Sequence, residues 1–354
     1  MKINGIDSNY IYAWCCDFSS YRGEGILALN FLKNLNYVTK KNIYAESPHG
    51  IILIKDEKIF FQNNKILKKK INFNFYYNYL YPFYGIFKIW YNYFNNKSVC
   101  YVNFLPFWNF ALFLLMPRNV IYGPVTGSLY NKKVKNFSTF IRKFLIPIFY
   151  QISAKIVAYQ GRKLIFSTEI LKSYIEKKKL KYYYFNYNLI NYLNSNKKNK
   201  KKDIDIIFYY RKYLAHDHEF QVKIIKYLAK KKYNIYVVGE KLNIQNVKNL
   251  GIISRNKLFY YLSRSRFSIN EGSNFFSIFC QDCLSNGVKI FYDKVTKVKN
   301  DFLPKKYFLE IDFKNLSNSL KIIEKNIKVK TFLKKHFFNK KEFLTNYKSY
   351  FNKF

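Results

Sequence analysis

Apolar positions along this chain follow two rhythms. Short unbroken apolar runs alternate with longer stretches in which apolar residues return every third or fourth position. The runs predict buried strands, and the periodic stretches predict helices packed by one face. KINGI or YIYAWCC predicts an opening strand. SSYRGEGILALNFLKNL follows, where Gly23 and Gly25 open a helical pattern carried by Ile26, Leu29, Phe31 and Leu32. NIYAE, GIILI, SVCYVNF, NVIYGP and AKIVAYQ predict further strands, and FSTFIRKFLIPIFYQIS predicts a helix. The basic, aromatic stretch KILKKKINFNFYYNYLYPFYGIFKIWYNYF predicts helices with indistinct ends.

A break comes at NSNKKNKKKD, residues 194–203, which has no apolar side chain and predicts a solvated linker. Beyond it the alternation is regular. IDIIFYY, YNIYVVGE, RFSIN and VKIFYD predict strands, while HDHEFQVKIIKYLAKKK, RNKLFYYLSRS and FFSIFCQDCLSNG predict the helices between them. Such alternation predicts a parallel sheet covered by helices. The expected architecture is α/β, with two Rossmann-like domains facing a cleft. The expected domains are residues 1–195 and 196–320, with 321–354 a helical tail packing back on the first. Ligands of open α/β sheets bind beyond the carboxyl ends of strands, so the loops after FYY, VVG and SIN are expected to face the cleft.

Composition alters the picture in one respect. A hydrophobic content of 49% excludes a disordered chain. Lys and Arg number 62 against 21 acids, a net charge of +41, which predicts attraction to an anionic partner: a phospholipid surface, nucleic acid or a phosphate-bearing substrate. The many Lys, Asn, Ile, Phe and Tyr residues also match A/T-rich codons, so charge alone does not specify nucleic acid. The scarcity of acids is harder to attribute to codons and keeps an anionic surface in view. The five cysteines, Cys15, Cys16, Cys100, Cys280 and Cys283, show no disulfide spacing. Cys280 and Cys283 form a lone C-x-x-C without a second pair for zinc, so two buried side chains on a helix are expected, and no metal site. The N-terminus does not read as a secretion signal. FLPFWNFALFLLMP, residues 104–117, is too short to span a bilayer and is expected to be a buried helix, with a segment lying at a membrane interface as the alternative. The expected location is cytoplasmic, peripheral at the inner face of the membrane.

Two strand ends carry candidate chemistry. After DIIFYY stand Arg211 and Lys212, cations suited to steadying a diphosphate as it leaves. After SIN come Glu271, Gly272, Ser273 and Asn274, then a helix that Ser273 or Asn274 would cap. The helix start through Phe275 and Phe276 would offer N–H groups to the same anion. Asp282 follows about two turns later and suits the hydroxyls of a ribose. Each feature has a plainer reading: a solvated basic pair, a turn glutamate, and an aspartate on an exposed helix face.

EGSNFFSIFCQDCLSNGVKIF resembles the donor corner of family 4 glycosyltransferases, a retaining group with the two-domain GT-B fold. There a strand ends near Glu-Gly, a helix follows, and a second acid precedes a glycine and a strand. QDCLSNG places Asp282 at that second acid. NLGIIS, with Gly251 and Ile252, resembles the loop beside the nucleobase, and FYYRK the strand that ends in a phosphate-binding arginine. RGEG, with Gly23 and Gly25, resembles the glycine loop that opens the first helix, and NVIYGPVTGS the family's Gly-Pro-x-x-Gly stretch. The resemblance spans about residues 10 to 293. Glu271 and Asp282 stand eleven positions apart where the family has eight, and eight back from Asp282 is Asn274. Glu271 and Asn274 are therefore both candidates to contact the sugar. His216 stands where a lysine usually follows the phosphate arginine, and Glu240 replaces a strand-end glycine. The first domain has no catalytic His or Asp in a family motif, and His49 is read as structural.

The resemblance implies a hexosyltransferase that moves a sugar from a nucleotide-sugar donor to a bacterial surface glycan or a lipid-linked acceptor. It implies a retaining reaction with no required metal or other cofactor. A membrane-bound acceptor would also give the basic surface a use at an anionic bilayer. A nucleic-acid-binding protein and a noncatalytic GT-B partner subunit are the alternatives. Nucleic acid is the weaker partner, because it leaves the strand-end glycines and acids unused.

Overall fold

The computed structural model describes residues 10–15, 18, 23–48, 50–61, 75–102, 106–127, 137–166, 170–176, 183–185, 201–211, 218–270, 277–294 and 305–329. These form two units, one within Met1–Ile190 and one within Asn191–Phe338.

The first unit runs β1 (Tyr10–Trp14), α1 (Gly23–Thr39), β2 (Asn42–Ser47), β3 (Gly50–Lys55), β4 (Lys58–Phe61), α2 (Phe75–Phe94), β5 (Ser98–Tyr101), α3 (Phe110–Leu115) and β6 (Ile121–Tyr122). It continues through α4 (Phe137–Phe140), a π-helical turn (Ile141–Leu145), α5 (Ile146–Tyr159), β7 (Leu164–Phe166), a 3-10 turn (Ile170–Tyr174) and β8 (Tyr183–Phe185). The main sheet has the order β4-β3-β2-β1-β5-β6. Strands β2, β1, β5 and β6 are parallel, while β3 and β4 extend the edge antiparallel. The β3–β4 turn is two residues, Asp56 and Glu57, both with positive φ, the backbone of a type I′ hairpin. Asn36 at the end of α1 accepts from the Glu57 N–H at 2.8 Å and so anchors that hairpin.

Aromatic side chains fill this core: Trp14, Tyr101, Phe107, Phe113, Tyr122 and Tyr150 are fully buried. One cation lies among them. Arg162 donates to the carbonyls of Phe113 at 3.0 Å and Met116 at 2.7 Å and to the Tyr122 hydroxyl. Burial pushes its pKa down and that of Tyr122 up. AKIVAYQ, expected as a strand, is the end of α5 instead. Its Ala154 and Val157, with Tyr150 and Ser153, make one buried helical face, so spacing outweighs the β-branched residues. A left-handed Gly161 (φ 64) then ends the helix, and the strand comes at Leu164. Among the described residues of 104–117, only Phe110–Leu115 are α-helical. That helix buries Leu112 and Phe113 and leaves Leu114 and Leu115 exposed.

The second unit runs β9 (Ile204–Tyr210), α6 (Glu219–Lys230), β10 (Ile235–Gly239), β11 (Val247–Gly251), α7 (Arg255–Arg264) and β12 (Ser265–Ile269). Then come α8 (Ile278–Ser285), β13 (Lys289–Asp293), a 3-10 turn (Lys305–Tyr307), β14 (Phe308–Ile311) and α9 (Leu316–Lys328). All six strands are parallel, in the order β11-β10-β9-β12-β13-β14. Side chains of β9 enter two apolar layers. Ile206 and Phe208 pack with α6 and α9, and Ile204 and Ile207 with α7 and α8. Burial on both faces is why these strands read as continuous apolar runs. Residues 321–329, expected to open a separate tail, instead complete α9 and the turn after it, with Ile323 and Ile327 in this core. The stretch around NLGIIS, expected as a loop, begins as β11, an edge strand with little burial and hence no apolar run to announce it.

Candidate functional site

The second sheet starts at its centre. From β9 the chain winds outward through β10 and β11, then crosses back to β12 and winds outward on the other side. β9 and β12 are thus parallel neighbours from which the connections lead in opposite directions, the switch point at which open α/β sheets bind ligands.

Arg211 follows directly on β9 and is exposed at that edge; Lys212 lies outside the described residues. At the end of β12, buried Asn270 donates its N–H to the Phe291 carbonyl at 2.8 Å, and its own carbonyl accepts from Gln221 at 3.1 Å. Its side-chain Nδ2 is buried without a hydrogen-bond acceptor. Glu271, Ser273, Asn274, Phe275 and Phe276 lie outside the described residues.

The helix after them starts later than expected. Its N-cap is Ser277, whose hydroxyl accepts from the Cys280 N–H at 3.2 Å, so neither Ser273 nor Asn274 caps it. The sequence offers three capping residues in five positions, and propensity alone does not rank them. Asp282 is therefore little more than one turn into α8. It is not on an exposed face either, being 1% accessible. Its Oδ1 pairs with Nη2 of Arg255 at 2.6 Å. Burial raises its pKa to about 6, while Arg255 pulls the other way. Cys280 and Cys283 are both buried on the same helix, as expected.

Arg255 was not among the sequence candidates. As first residue of α7 it follows the Gly251–Ile252 turn, so the ion pair ties that turn to the interior of α8. Gly251 has φ 70 with open space where a Cβ would stand, and Ile252 is 82% exposed. Gly239 is a second omission. At φ 102 its missing Cβ would lie 2.3 Å from the Tyr210 carbonyl, and this close approach lets the Glu240 N–H donate to that carbonyl at 2.9 Å. A glycine ending an apolar strand run, as in VVG, is the signal that could have found it.

In the first unit Gly23 and Gly25 sit in the first turn of α1, as expected. In the GPVTG stretch, a Cβ on Gly123 would lie 2.3 Å from the Val102 carbonyl, and one on Gly127 equally close to Leu171. Both glycines are explained by packing. D-x-D occurs once in the sequence, at Asp203 and Asp205. Both carboxylates meet arginines, Arg264 and Arg266, at the opposite edge of the sheet from Arg211.

No family model matches this sequence, and no curated protein matches it. Solved structures do. A sucrose-phosphate synthase from Thermosynechococcus elongatus superposes with a TM-score of 0.57 at 11% identity, covering 90% of each chain. A glycosyltransferase from Rickettsia africae superposes with a TM-score of 0.50 at 12% identity, covering 91% of this chain and 89% of that one. The fold is GT-B. At these identities the likeness is one of architecture: two α/β units, each with a parallel-rich sheet and a central first strand.

Proposed function

We propose that this GT-B chain is a glycosyltransferase whose nucleotide-sugar donor binds at the carboxyl edge of the second sheet. The observation that carries this reading is the switch point between β9 and β12, with Arg211 at its tip. Two chains of the same fold are, by name, a glycosyltransferase and a sucrose-phosphate synthase, which agrees with sugar transfer. In the proposed complex Arg211, with Lys212, steadies the departing diphosphate. The Gly251 turn offers backbone and the Ile252 side chain to a nucleobase. Asp282 serves the ribose from within its pair with Arg255, not as a free carboxylate. Glu271 and Asn274 remain the two candidates for the transferred sugar. Retention of anomeric configuration, transfer without an essential metal, and a surface-glycan or lipid-linked acceptor complete the proposal.

A thermal-shift series against nucleoside diphosphates and their sugars tests it. A ligand at one hundred times its Kd stabilises by about 2.7 kcal/mol, which raises Tm by a few degrees. One nucleotide class is expected to do this, and Arg211→Ala to abolish most of the shift. No shift from any nucleotide, together with salt-dependent binding of RNA or DNA, would overturn the reading in favour of nucleic acid. Nucleotide binding without sugar release to any acceptor or water would instead favour a noncatalytic subunit.

A further inference from the structure

We infer that the first unit docks on an anionic phospholipid surface through the apolar faces of α2 and of the α4–α5 helix. On α2 the exposed residues are Tyr84, Phe87, Tyr91 and Phe94, with Phe87 and Phe94 73% and 74% accessible. Their spacing of three, four and three positions puts them on one helical face. On the second helix Phe137, Phe140, Phe144 and Ile148 are exposed in the same manner, and the rings of Phe140 and Phe144 lie 5.0 Å apart. α3 connects the two. Trp90 of α2 donates to the Leu115 carbonyl at 2.8 Å, and Phe110 of α3 lies 5.7 Å from Phe149 of α5. Leu114 and Leu115, between them, are also exposed. Large apolar side chains left exposed together on neighbouring helices mark an interaction site.

Charge selects the partner. From Lys58 to Thr168 the sequence contains no Asp or Glu, while Arg118, Lys143 and Lys155 stand exposed near these faces. Lys143 lies 5.7 Å from the Phe144 ring. Aromatic residues on a helix face with cations beside them, on helices that carry no acid of their own, suit the headgroup layer of an anionic membrane. A second copy of the chain fits less well, since a two-fold contact would set helices that carry cations and no acid of their own against themselves. Among the described residues no helix is long and apolar enough to cross a membrane, so the surface lies on the bilayer and does not span it.

Flotation of the full chain with phosphatidylglycerol-containing vesicles, against pure phosphatidylcholine, tests this independently of the transferase reading. Wild type is expected to float with the anionic vesicles and to be released by salt. The triple variant F87S/Y91S/F94S is expected to lose about tenfold or more in partitioning, and F144S/I148S on the other helix to show the same loss. K226Q/K230Q, which removes two exposed lysines of the second unit, is expected to change it less than about twofold. Four results would each overturn the proposal: no flotation of wild type, equal and salt-insensitive binding to neutral vesicles, wild-type flotation of both apolar variants, or an equal loss in K226Q/K230Q. Unchanged flotation with a shift from dimer to monomer on sizing would assign the face to a second copy. Far-UV circular dichroism confirms that each variant is folded, and two variants on separate helices keep the test decisive if one is not.

Discussion

Each unit holds an arginine against its interior, Arg162 buried and Arg255 half-buried, and the two are satisfied by opposite means. Arg162 in the first unit is held by two carbonyls and a tyrosine hydroxyl. Arg255 in the second is held by a buried carboxylate. The contrast extends across each unit. The second carries ion pairs at Asp203, Asp205, Asp282, Asp312 and Glu324. In the first, Lys88 pairs with Glu46 at 3.1 Å, and the sequence has no acid at all from Lys58 to Thr168. A codon bias acts on both halves of one gene alike. The local absence of acids therefore belongs to the first unit and its surface, whatever share of the overall +41 the genome explains.

The largest effect expected from breaking this contrast is at Arg162. Arg162→Met fills the volume but strands three buried acceptors, so urea unfolding of the first unit should lose about 3–5 kcal/mol. Arg255→Met should cost about 3 kcal/mol at pH 7.5, because it leaves the Asp282 carboxylate buried and uncompensated. The double variant with Asp282→Asn should recover part of that loss, a coupling that Arg162, lacking an ionised partner, cannot show. The pH dependence is smaller. Burial raises the Asp282 pKa in the folded chain to about 6, from the ordinary carboxylate value of 3.8. The folded state thus holds this proton more tightly, and the group's contribution is most favourable below pH 3.8 and declines as pH rises toward 6. Stability measured against Asp282→Asn should show wild type losing roughly 2–3 kcal/mol between pH 4 and 6; a flat difference would contradict this protonation. Smallest of all, Phe87→Ser should shift stability by less than about 0.5 kcal/mol, where Phe113→Ala in the same unit costs about 3–5 kcal/mol.

What could be read from sequence followed the same division. In the second unit the four inner strands, β9, β10, β12 and β13, were legible, because parallel strands covered on both faces must be continuous apolar runs ending at turns. The edge strands β11 and β14 were not. The exceptions have local reasons: β11 is an edge strand with polar positions, and α8 had several competing caps. In the first unit aromatic residues are abundant both inside and out, so apolar pattern separated burial poorly. Phe113 and Phe87 look alike in sequence and differ wholly in exposure. The strand end that carries Arg211 was legible. The site was not legible where it rests on partners: Arg255 and Asp282 are 27 positions apart and meet only because α7 and α8 share one face of the sheet.

The sheet order of the second unit also sets a timetable. β9 is its central strand, yet one of its two neighbours, β12, begins only at Ser265. At about 5–20 residues per second, roughly 3–11 s of synthesis separate Tyr210 from Ser265. Through that interval the apolar edge of Ile204–Tyr210 waits on the ribosome without its second partner, open to any other strand. Speed of translation across residues 211–264, and a chaperone able to cover one strand edge for seconds, become determinants of how much of this protein a cell obtains.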